Sequence, residues 1–134
     1  MPAVAELLAP PDVEPAVVEI LSVDPWWVGT RYGEDHAAGN IRVSATGGAR
    51  PVDRVVVEQN VLVECWHDDA GEALRIAQIA WARLWAAAGT TVADVDIKHV
   101  ASTMPNNNPD VNRPGMVRFQ FLTTIHSRLI ALEV

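Results

Sequence analysis

The stretch Arg54–Gly89 reads RVVVEQNVLVECWHDDAGEALRIAQIAWARLWAAAG, and the change of period inside it decides the fold. Its first part, Arg54 to His67, is rich in valine and predicts one long strand, or two strands joined by a bulge. Val55, Val57 and Gln59 share one face. Val61, Val63 and Cys65 continue that face if the strand is unbroken and switch faces if a bulge intervenes. After His67 the period lengthens. Asp68-Asp69 offers an N-cap with Glu72 in the first turn, and a helix is predicted from Glu72 to about Ala88, with Gly89 as C-cap. Ala73, Leu74, Ala77, Trp81, Leu84 and Ala88 follow helical spacing, with Ile76, Ile79 and Trp85 toward the flanks. So wide a stripe predicts a helix lying across a sheet; the alternative is that part of the stripe also meets a neighbouring subunit.

Upstream, Ile41 to Thr46 alternates Ile41, Val43 and Ala45 against Arg42, Ser44 and Thr46, as a half-buried strand does, and Gly47-Gly48 ends it in a turn. The short connection predicts antiparallel pairing with the valine strand. Asp24 to Asn40 is glycine-rich and irregular, with a short strand expected around Trp27 to Arg31. Pro15 suits the first turn of a short helix that buries Val17, Ile20 and Leu21 and stops before Pro25. Downstream, Val92 to Thr103 predicts a strand with Val95, Ile97 and His99 on one face. Met104 to Gly115 predicts an exposed loop. Met116 to Leu132 predicts a last strand, with Val117, Phe119, Phe121, Thr123 and Ile125 on one side. The expected fold is α+β: an antiparallel or mixed sheet with one long helix packed on one face and a short N-terminal helix, in a single domain spanning 1–134.

Composition narrows the function classes. With 49% hydrophobic and 20% charged residues, the 134-residue chain folds around a core. Its one cysteine, Cys65, excludes an internal disulfide. No apolar run is long enough to span a bilayer. Met1 to Pro11 lacks the basic start of a signal peptide, so synthesis in a cytoplasm and no membrane partner are expected. A formal net charge of −7 argues against general nucleic-acid binding. Arg50 with Arg54, and Arg113 with Arg118, are local spots and not runs.

Chemistry-bearing motifs are sparse. His36, His67, His99 and His126 show no close metal-ligand spacing. His67-Asp68-Asp69 reads as a strand end followed by an N-cap, and Cys65 as a small hydrophobe on an apolar strand face. Thr46-Gly47-Gly48 lacks the phosphate-loop pattern, Gly29 to Gly33 is a plain loop, and no nucleophile elbow is present. The expectation is a non-enzymatic protein without cofactor or metal.

Three stretches in order, Ile41–Gly48, Asn60–Trp66 and Asp69 to Leu84, together with Arg118-Phe-Gln-Phe121, resemble the tail terminator proteins of long-tailed, siphovirus-type phages that infect actinobacteria. The resemblance spans roughly Ile41 to Ile125. One departure is Ala45, where members often carry arginine. The resemblance implies a structural virion protein, made in the host cytoplasm and located at the head–tail junction. Its partners would be further copies in a ring, commonly a hexamer, the tail tube protein below, and a head–tail connector or stopper protein above. DNA would pass through the lumen without specific binding, which suits net acidity. Rival expectations are another head–tail junction component, a tail tube subunit, or a small ligand-binding α+β domain. Two regions are candidates for the subunit or partner interface: Trp26, Trp27, Arg31 and Tyr32 in the aromatic loop, where the alternative is that the tryptophans simply cap the core, and Asn106, Asn107, Asn108, Asp110 and Arg113 in the asparagine-proline loop, where the alternative is a disordered solvent loop.

Overall fold

The computed structural model describes residues 6–23, 25–33 and 38–133. Its spine is a pair of twelve-residue strands, β4 (Val56–His67) and β8 (Val117–Arg128), paired antiparallel along their whole length. Around them the chain runs β1 (Leu7–Ala9), α1 (Glu14–Leu21), β2 (Trp27–Gly29), β3 (Asn40–Ala45), β4, α2 (Ala70–Ala86), β5 (Thr91–Val92), β6 (Val95–Ser102), β7 (Asn106–Asn107), β8 and β9 (Ile130–Leu132). The main sheet has the order β2-β3-β4-β8-β6-β5, with β7 also paired to β8. It is mixed, because β2 runs parallel to β3 while the other pairs are antiparallel. A separate ribbon pairs β1 with β9. The architecture is α+β with two helices and a mostly antiparallel sheet.

Strand alternation sorts the side chains. Val61, Val63 and Cys65 of β4, Ile41 and Val43 of β3, and Phe121 and Ile125 of β8 are buried in one cluster. Buried residues of both helices belong to the same cluster: Ala16, Val17, Ile20 and Leu21 from α1, and Ile76, Ala77, Ala80 and Leu84 from α2. Pro15 and Glu14 open α1. Asp69 caps α2, its carboxylate accepting the Glu72 backbone N–H at 2.9 Å.

Several expectations are corrected. β4 has no bulge; the irregularity lies in β6, between Ile97 and His99. That extra residue turns His99 out beside His126 and returns Val100 to the core, so His99 does not share a face with Val95 and Ile97. Val92 and Val95 do not lie on one strand. They flank a two-residue loop, Ala93-Asp94, with both residues at positive φ. Ile76 lies in the core and not on a flank, whereas Ala88 is exposed. α2 ends at Ala86, and the Gly89 N–H bonds to the Ile97 carbonyl and not to a helix carbonyl. The stretch from Met104 is not loop throughout, since Asn106–Asn107 pairs with Phe119 and Gln120. The last strand breaks at Leu129, and its end pairs with a strand the sequence reading did not foresee, β1.

Candidate subunit interface

On the sheet face opposite the apolar cluster, alternation places Arg42, Glu64, Trp66 and Arg118 side by side: Arg42 lies opposite Glu64, and Trp66 opposite Arg118. Glu64 is the hub. Its side chain is 3% exposed, a burial that a carboxylate tolerates only when paired. Arg42 donates from Nε to Oε1 at 2.9 Å and from Nη2 to Oε2 at 3.1 Å, and Arg118 donates from Nη1 to Oε2 at 3.0 Å. The fork geometry of arginine satisfies both carboxylate oxygens at once.

Arg118 also reaches the loop that joins β7 to β8. Its Nε donates to the Asn108 carbonyl at 2.7 Å and its Nη2 to the Pro109 carbonyl at 3.4 Å. Asp110 sits beside it and accepts from the Asn112 backbone N–H and from Arg113 Nη1, both at 3.0 Å. The Asn112 N–H first, then Arg113 and Arg118, hold the Asp110 carboxyl below its ordinary range, so it stays ionised. Arg113 lies over the Tyr32 ring at 3.9 Å and 5.5 Å from the Trp66 ring centre. Tyr32 meets Trp66 edge-on at 5.1 Å. Trp66, fully buried, thus has guanidinium groups from Arg42, Arg113 and Arg118 within 6 Å of its ring centre.

The two predicted interface regions therefore meet, through Arg113 on Tyr32. Not every predicted residue takes part. Trp26 packs against the core, and its Nε1 donates to the Leu21 carbonyl at 3.2 Å. The Trp27 ring lies against Gly29 and Gly33, where any Cβ would overlap it. Arg31, Asn106 and Asn107 are exposed. Glu64, Trp66, Arg42 and Arg118 were absent from the predicted set. Their signal was a glutamate and a tryptophan at outward positions of a valine strand, with arginines at outward positions of two other strands.

The same face continues as a polar ladder. Thr124 Oγ1 donates to Asn60 Oδ1 at 2.8 Å, and His126 Nε2 lies 3.2 Å from Glu58 Oε1. His99 packs edge-on against His126. Cys65 points into the core, where burial, reinforced by the charge of Glu64, pushes its thiol far up, so it keeps its proton. His67 Nδ1 accepts the Asp69 N–H at 3.0 Å, a local contact between strand end and helix cap. His36 lies outside the described residues. Among the described residues no three His, Cys, Asp or Glu side chains gather as a metal site, and no helix is long and apolar enough to cross a membrane. The arrangement presents fixed charges and aromatic rings. No protein-family model matches the chain, and no curated protein matches it significantly.

Proposed function

We propose that this chain is a ring-forming structural protein that caps a phage tail tube, ends its polymerisation and docks the head-side connector. One observation carries the reading. The stretches that resemble tail terminators fall on β3, β4, α2 and the start of β8, and Arg42, Glu64, Trp66 and Arg118 from three of them meet in one cluster. In this reading α2 lies across the apolar face of the sheet, while the loop held over the opposite face by the charged cluster is available to partners. Copies arrange as a hexamer, each using two unlike patches, as a closed ring requires. The acidic balance keeps the lumen from holding DNA. The protein acts by shape and contact and not by catalysis, and its place is the virion.

The test is light scattering and negative-stain imaging of the purified chain, alone and mixed with tail tubes of its phage. A closed ring, or density capping one tube end, is expected. Long homopolymers would identify a tube subunit instead. A chain that ignores tubes, and that a small ligand stabilises against heat, would replace the reading with a ligand-binding domain.

A further inference from the structure

The β1–β9 ribbon and the outer edge of β6 are each incomplete in the single chain. The ribbon is three residue pairs long, and Leu7, Leu8, Ile130 and Leu132 are 52, 47, 37 and 48% exposed. A two-stranded ribbon uncovered in this way is marginal in water. Among the described residues, β5 pairs with β6 only at Val95 and Asp96, so Lys98–Ser102 has no strand on its outer side. Beside that stretch lies an apolar shelf. Trp81 and Trp85 stack in parallel with ring centres 5.5 Å apart, and Gln78, Trp81, Met104 and Pro105 line a cleft of about 110 Å³. Trp85 is 57% and Met104 75% exposed.

Among the described residues no strand of the chain covers that edge. β9 leaves β8 at the end where β6 begins, and the Leu129 N–H bonds to the Val55 carbonyl, which ties the ribbon's root to the β4 side of β8, away from β6. Charge complements the apolar match. Exposed Arg54 and Arg128 flank the ribbon root, and exposed Asp94 stands just before the open edge, while Asp96 is already paired with Lys98 at 3.0 Å. Laid root to Asp96 and tip to Ser102, the ribbon presents the free side of β1 antiparallel to β6.

We infer that β1 of one copy adds to the Lys98–Ser102 edge of a second copy, Leu7 with Ile130 and Leu132 on the same face of the ribbon covering the Trp81–Trp85 shelf and Arg54 and Arg128 meeting Asp94. Strand addition supplies main-chain hydrogen bonds, and the shelf supplies selectivity. Donor and acceptor are different patches, so the contact is head-to-tail and leads to a ring when it closes. The inference rests on the ring-forming reading and names its contact.

Complementation tests it, using the full chain. Leu7→Glu with Leu8→Glu removes the donor; Trp85→Glu with Met104→Glu removes the acceptor, and all four residues are exposed. By sedimentation, the wild-type chain self-associates, and each variant weakens this by about tenfold or more. Mixed, the two variants give a one-to-one dimer and nothing larger, because one intact donor meets one intact acceptor. Where a double variant lowers thermal stability, Leu7→Glu and Trp85→Glu alone replace it. A wild-type chain monomeric at millimolar concentration, variants that associate like wild type, or monomeric variants whose mixture stays monomeric would each overturn the inference. Association through these patches with no capping of tubes would sink the tail reading and leave this contact standing. Tube capping by both variants would do the reverse.

Discussion

Ala93 and Asp94 turn the chain between β5 and β6 at φ of 47° and 62°, the positive pair that a two-residue type I′ loop demands. Ala93 is a poor occupant, since a left-handed alanine costs roughly 1 kcal/mol, and Asp94 is tolerated there but less free than glycine. Ala93→Asn with Asp94→Gly should therefore stabilise the protein by about 1 kcal/mol, read as a rise in the urea midpoint without a change in slope. The sequence hid this turn because Ala-Asp carries none of the usual signals. Asp110 makes a second prediction at this scale. Its native pKa lies below the ordinary 3.8, so its contribution is fully present above that value and is lost as pH falls through the lower native value. Asp110→Asn should lower thermal stability at neutral pH, and the gap from wild type should close on acidification below about pH 4. A gap that stays constant down to pH 2 would show that the ionised carboxylate does not hold the loop.

Among the elements, the bulge in β6 sets which side chains face the core. Ile97 pairs with Ser127 and His99 with His126, so Lys98 is the surplus residue. Deleting Lys98 should leave Ile97 and Val100 inward and cost no more than about 1 kcal/mol. Deleting Val100 instead puts Ala101 in its place, and should cost about 2 kcal/mol in lost burial and cavity. Thermal melts of the two deletions distinguish the cases; equal losses would contradict the register. β3, β4, β8 and both helices were legible because their buried residues repeat at clean periods. The bulge was not, because Lys98 and His99 are both tolerable at an exposed edge. β1 and β7 were not, and β9 was read only as the end of β8, because strands of two or three residues are defined by distant partners and not by their own pattern.

Across the whole molecule, Glu64 binds β3, β4, β8 and the loop after β7 into one charged unit. Glu64→Ala would leave Arg42 without its carboxylate and Arg118 with only Asp110, 4.0 Å away, and should cost about 3 kcal/mol, reduced somewhat because Arg42 is one-third exposed. Hydrogen exchange should show the loop at 108–113 loosening more than the core of the sheet. Equal protection in variant and wild type would mean that the loop is held by other contacts. The sequence named both ends of this unit, Tyr32 and Arg113, as separate loops. Their meeting on Trp66 was invisible, because 81 positions separate them and no local rule links them.

The ribbon has a consequence in time. Leu7 pairs with Leu132 and Ala9 with Ile130, so β1 waits for its partner until nearly everything between them has been synthesised. Any chain released early, short of Ile130, lacks the strand that β1 needs and so presents no finished donor. If the ribbon is what one copy offers the next, products that stop before Ile130 are barred from joining the growing assembly, and admission itself certifies that translation has passed β9.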